Sequence, residues 1–410
     1  MVTIIKFLTK AALAVVFIAT THVAVADEGK GPTMRPEIGK PLNAALEAIK
    51  AKKGKDALAR VHEAESIGGK SPYESYMVDR VKGAAAMTAG EPALSAEAFE
   101  AALSSSAAPA AEKTVLMAAQ ADQYFRAKNY TKASEASARY LKEGGTDPGV
   151  RTLQIQALYL SGDLTKAGKE LQAEVKAAEE AGKPPVEQLL QMLADISNRQ
   201  KDSASFIGAM EKLVTYYPKK DYWLSLMYSL STKPGLSTQL ALDVFRLKMA
   251  TGTLRTTEEY VEAAQLAIQA GFPAEAKKFI DAGYDAHLMG VGADADRHKR
   301  LRDTAAKGLA EDTKTLGQDD ARQAAAATGD PLMNTGLNYV HRGQSDKGLP
   351  LMEQALKKGG FKRAEDAKLH LGVAQFMAGQ KAKATETLRG VKGTDGTAEI
   401  ARLWVLLARS

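Results

Sequence analysis

Histidine and carboxylate side chains crowd together most closely in "ADADRHKR", residues 293–300, where Asp294, Asp296 and His298 sit a few positions after His287. Oxygen and imidazole donors at such spacing are the raw material of a divalent-cation site. The pattern lacks the glycine and the closing glutamate of a calcium loop, and no H-E-x-x-H occurs. His62, His341 and His370 are scattered along the chain. There is no cysteine, which excludes disulfides, thiolate metal sites, cysteine nucleophiles and a lipid-modified N-terminal cysteine. No G-x-S-x-G, P-loop or dinucleotide fingerprint is present. The expectation is therefore no catalytic residue, no metal and no cofactor, with Asp294 acting as the cap of a solvated helix.

The elements around these residues read as helices. Of the 410 residues, 45% are apolar and only 6% aromatic. Alanine and leucine carry the apolar share, and alanine is the best helix former. Residues 1–26 differ from the rest. Lys6 and Lys10 precede the short apolar run "AALAVVFIA" (11–19), and Ala24-Val25-Ala26 has the form of a cleavage site. This is the pattern of a secretory signal peptide, too short in its apolar core to span a bilayer. Its removal leaves a mature chain starting near Asp27 and a periplasmic location. The formal charge of +6 includes Lys6 and Lys10, so the mature chain is only mildly basic, and no basic block points to nucleic acid.

Across the mature chain one device recurs. In "LGVAQFMAGQKAKATETLRGV" (371–391) a helix stops at Gly379, and a second starts at Lys381 with Ala384 and Leu388 on one face. A turn this short forces antiparallel neighbours. Equivalent small anchors fall at Ala57, Ser95, Ala133, Ala167, Ala276 and Gly348, with weaker copies at Phe206 and Ala241. Successive steps are 38, 38, 34, 39, 35 and 35, then 72, then 36. The wide step holds the charged stretch 290–330, read as a long helix in preference to a degenerate repeat. Pro92 and Pro273 sit where helices start. The final "DGTAEIARLWVLLARS" (395–410), with Ile400, Leu403, Trp404 and Leu407 on one side, reads as an end cap.

A helix-turn-helix period near 34 resembles the tetratricopeptide repeat family, carried by Gly83 and Ala86, Gly336 and Tyr339, Gly372 and Ala374, and the turns "SGD", "RGQ" and "AGQ". The early consensus tryptophan is missing, and Phe206 fills a small-residue slot. The resemblance implies an all-α, right-handed superhelical solenoid of antiparallel helix pairs. The expected organisation is signal peptide 1–26, N-terminal array 27–290, charged helix 291–330, and a C-terminal pair with capping helix 331–410. It also implies a peptide-binding groove lined by first helices, which carries over to Asp122, Phe125, Arg126, Gln156, Tyr159, His341, Phe376 and Met377. The family's lysine–asparagine clamp for terminal carboxylates is not reproduced.

The function implied is a periplasmic scaffold or adaptor that binds a peptide or partner protein of the cell envelope. A loose likeness to exported repeat proteins accompanying TonB-linked uptake systems makes such a system one option for the partner. The alternative is an envelope enzyme or glycan-binding factor on the same frame. Glu74-Ser75 in "YESYMVDR" is similar to the catalytic pair of lytic transglycosylases, although the glycine-rich sequence expected downstream is absent. A third option is self-assembly through the C-terminal helix. The oligomeric state is not readable from the residues.

Overall fold

The computed structural model describes residues 33–315, 317–318 and 320–409. The expected signal peptide lies outside the described residues. Among those described, the chain forms 21 α-helices and no β-strand, and it divides into two compact units, residues 1–183 and 184–410. The all-α expectation holds. None of the described helices is long and apolar enough to cross a membrane.

Unit 1 contains α1 (Pro36–Lys50), α2 (Gly54–Glu65), α3 (Pro72–Ala89), α4 (Pro92–Ser104), α5 (Ala110–Arg126), α6 (Tyr130–Lys142), α7 (Pro148–Ser161) and α8 (Leu164–Glu180). They pack as consecutive pairs, and each pair also packs on the next. Every pair turns on one residue with positive φ, five positions before the anchor: Lys52 (59°), Gly90 (78°), Lys128 (60°) and Gly162 (89°). A left-handed residue there ends the first helix and reverses the chain within two or three positions. In the last two pairs the second helix starts on a side-chain cap: Asn129 accepts from Lys132 N at 3.2 Å, and Asp163 from Lys166 N at 3.1 Å. Pro92 stands at the first position of α4, as expected.

The anchors sit where the paired backbones come closest. Ala57, Ala133 and Ala167 are fully buried. Ser95 donates its Oγ hydrogen to the Gly83 carbonyl at 2.7 Å, and a Cβ built on Gly83 would lie 2.4 Å from the Phe99 ring. A small residue twelve positions before the anchor and an apolar one four after it thus form one contact, repeated as Ala45–Ala57–Val61 and Gly83–Ser95–Phe99. Burying these methyls and rings supplies the stability that helices of this length lack alone.

Unit 2 contains α9 (Glu187–Arg199), α10 (Ser203–Tyr216), α11 (Lys220–Ser231), α12 (Ala241–Ala250), α13 (Thr257–Gln269), α14 (Pro273–Asp285), α15 (Ala295–Thr315), α16 (Asp320–Ala325), α17 (Asp330–His341), α18 (Ser345–Lys358), α19 (Ala364–Met377), α20 (Lys381–Arg389) and α21 (Thr397–Arg409). The pairs α9/α10, α13/α14, α17/α18 and α19/α20 use the same turn, with Lys201, Gly271, Gly343 and Gly379 at positive φ. Ala276 and Ala384 are fully buried. The two weaker copies differ. Phe206 and Ala241 are only half-buried, because a phenyl ring does not fit a contact built for a methyl group, and because α11 and α12 scarcely touch.

The charged stretch forms the 21-residue α15 against α13 and α14, followed by the short α16. The C-terminal helix does more than close the last pair. Besides α19 and α20, α21 packs on α10 and α12. Arg402 Nε reaches Glu211 Oε1 at 2.9 Å, Lys233 pairs with Glu399, and Ser237 N donates to the Asp395 carbonyl at 2.8 Å. Its apolar side, Ile400, Leu403 and Trp404, is buried. The face proposed for self-assembly is therefore covered from within the chain.

Candidate functional site

The residues expected to line a groove fall in both units. In unit 1, Asp122 is buried and accepts from Arg126 Nε at 2.7 Å and from Gln123 Nε2 at 2.9 Å. Gln156 is buried too, at the equivalent position of the next pair. Phe125 and Tyr159 stand half-buried, each eight residues before the anchor of its pair, Ala133 and Ala167. The Phe125 ring meets Tyr130 edge-on at 5.4 Å. Arg126 remains exposed beside it.

The same position in the two preceding pairs holds Ile49 and Met87, also half-buried. Ile49, Met87, Phe125 and Tyr159 therefore form a series of partly open apolar side chains, one per first helix of unit 1. Sequence reasoning missed the first two. Their offset from Ala45 and Gly83 was the available signal, but neither is aromatic and neither drew attention.

In unit 2 the outcome is different. Met377 is 40% exposed, but Phe376 packs edge-on against Trp404 at 5.1 Å and belongs to the seat of α21. His341 is 3% exposed. It cannot line an open groove, which corrects the expectation carried by the resemblance. Helices from across unit 2 cover it.

What covers His341 is a buried ion network that no sequence motif announced. Arg246 of α12 donates from Nε and a terminal nitrogen to the two Glu275 oxygens, both at 2.7 Å. Its other terminal nitrogen donates to Asp243 Oδ1 at 2.8 Å. His341 Nε2 of α17 lies 3.2 Å from Glu275 Oε2, and His370 Nε2 of α19 lies 3.0 Å from Asp243 Oδ1. Phe272 closes one side, 5.7 Å from the His341 ring and 5.4 Å from the Arg246 guanidinium. Asp243, Arg246, Glu275 and His341 are all below a tenth exposed. Neither ring nitrogen of His341 has an aligned hydrogen-bond partner.

The electrostatics follow from burial and pairing. Burial pushes the His341 imidazole down to about 4, helped by Arg246, Lys278 and His370 and opposed by Glu275. Burial alone would raise Glu275 and Asp243. Arg246 and His341 outweigh it at Glu275, and His370 and Arg246 outweigh it at Asp243, so both carboxyls are held below their ordinary values.

The chemistry weighed from sequence also finds its place. Asp294 and Asp296 are exposed, while His298 is buried and accepts from Gly290 N through Nδ1 at 3.1 Å. These residues do not converge. Glu74 closes a capping box with Ser71 and accepts from Arg35 Nε at 3.0 Å, which holds its carboxyl down to about 2. A glycan-cleaving acid needs the opposite shift.

Fold and register define an all-helical protein built of consecutive antiparallel helix pairs. No protein-family model and no curated protein matches the chain. Among solved structures it is similar to the Naa15/Naa10 complex bound to HypK-THB, at 16% identity and a TM-score of 0.28, covering 87% of this chain and 59% of that one. It is also similar to yeast Tom70, at 12% identity and a TM-score of 0.25, covering 90% of this chain and 95% of that one. Both likenesses are remote, and the chain spans little more than half of the first.

Proposed function

We propose that the chain is an exported interaction protein of the bacterial cell envelope that holds an extended segment of a partner protein along the first helices of unit 1. The observation that carries this reading is the series Ile49, Met87, Phe125 and Tyr159. These four large side chains, aliphatic or aromatic, are left partly exposed at one register in four consecutive pairs, so they line up as one partly open stripe. The exposed Arg126 beside Phe125 adds a guanidinium for a partner carboxylate. Export rests on the sequence pattern of residues 1–26. A TonB-linked uptake system is one partner class consistent with that compartment.

The test is a photo-cross-linker at position 125 or 159 in intact cells, paired with the double variant Phe125→Ser, Tyr159→Ser. A discrete adduct at both positions, lost when the other site carries serine while the melting profile is kept, supports the reading. Adducts no stronger than those from exposed Tyr228, which lies outside the series, would sink it.

A further inference from the structure

We propose that the Asp243–Arg246–Glu275–His341–His370 network is an acid-sensitive lock on unit 2, which mild acid loosens while unit 1 stays closed. The geometry is the basis. Four helices, α12, α14, α17 and α19, far apart in sequence, meet at this one cluster. Its permanent cation is Arg246, shared by two carboxylates, so a proton on the His341 imidazole changes the balance of charge. His341 sits on the Glu275 side with both ring nitrogens buried and without an aligned partner. A proton added there cannot be solvated without moving α17 away from α14.

The charged groups acting on His341 come from several elements. Glu275 and Lys278 belong to α14, Arg246 to α12 and His370 to α19. Of the other helices packed on α17, α18 brings Asp346 and Lys347, the latter over the Tyr339 ring at 5.9 Å. The short α16 brings Arg322. Next to His341, Arg342 pairs with Asp312 of α15. Only Glu275 favours an imidazolium strongly, and Arg246 already occupies its two oxygens.

The sign is the same for His341, Asp243 and Glu275, all three held below their ordinary values. A buried imidazole whose folded value is depressed to about 4 binds fewer protons than in the unfolded chain. Its contribution is complete above its ordinary value near 6.5 and fades as pH falls towards 4. The depressed Asp243 and Glu275 carboxyls lose theirs at lower pH still. Within unit 1, the described histidine is His62, an exposed side chain, and the depressed carboxyls Glu74, Glu100 and Asp163 respond only below their ordinary range. The Asp79 carboxyl of α3 is raised by burial, so acid relieves it and adds to the stability of unit 1; between about pH 6.5 and 4.5 the loosening therefore belongs to unit 2.

The full-length chain provides its own readout. Its two tryptophans, Trp223 and Trp404, both lie buried in unit 2. Hydrogen exchange corrected for intrinsic rates, with tryptophan emission in sub-denaturing urea, is followed from pH 7.5 to 4.5. The expected result is a loss of protection in α12, α14, α17 and α19 of up to about thirtyfold near pH 5, with α3–α6 unchanged. His341→Gln flattens this response, and His370→Gln leaves it in place. A folded His341→Gln protein that keeps the full acid response overturns the proposal, as does parallel loss in both units. If His341→Gln does not fold, the wild-type imidazole is titrated by nuclear magnetic resonance. A neutral His341 ring at pH 6 supports the lock, and a protonated one overturns it.

Discussion

At Gly348 one methyl group has nowhere to go. A Cβ there would lie 2.4 Å from the Gly336 carbonyl oxygen and 2.7 Å from Val340, and one on Gly336 would lie 2.7 Å from the Gly348 oxygen. Backbone cannot step aside as a side chain can, so Gly348→Ala should cost about 3 kcal/mol, the upper end for overpacking. Gly208, inside α10 with nothing within 4 Å, is the contrast, and Gly208→Ala should add about 0.5–1 kcal/mol. Urea denaturation of the two variants checks both signs. At the turns the direction reverses. Lys52, Lys128 and Lys201 hold left-handed backbone that glycine holds elsewhere, and all three are exposed. Lys128→Gly should therefore stabilise by about 0.5–1 kcal/mol, strain relief outweighing the added chain entropy, and a melting temperature that fell instead would contradict it. Most of this was legible before folding, because Ala57, Ala133, Ala167 and Ala384 announce close helix contact by size and spacing alone. His341 was legible only as a helix position. Its partners Asp243, Arg246, Glu275 and His370 come from other helices, and no local pattern ties them together.

Among the helices, α21 shows most clearly what local reading reaches. Its amphipathic side, Ile400, Leu403 and Trp404, was visible at helical spacing, and so was its role as a cover. What it covers was not, since contact with α10 and α12 depends on where more than a hundred intervening residues lead the chain. The Trp404 ring is buried against Phe376 while its indole N–H has no acceptor. Trp404→Ala should cost about 3–5 kcal/mol in unit 2. Trp404→Phe should cost much less, because it removes an unsatisfied donor along with part of the ring. The pair α11/α12 is the converse case. Its register could be counted, but its contact could not be foreseen, and the half-buried Ala241 records how little the two helices share.

For the whole chain, two compact units should appear as separate events in calorimetry, with Gly348→Ala and Trp404→Ala displacing one and leaving the other. A single transition displaced by every variant would contradict that division. The two transitions should also part further as pH falls from 7 to 5, for the reason given by His341. The turns carry one last implication. Within every pair but α11/α12 the reversal takes two or three residues around one left-handed position, whereas the joins between pairs vary, from the three residues 217–219 to the nine residues 286–294. The length of a pair's reversal is therefore fixed by its turn while that of a join is not, so a foreign epitope spliced into a join such as 105–109 should be tolerated better than one inside a pair. The same epitope placed beside Gly162 should split its hairpin.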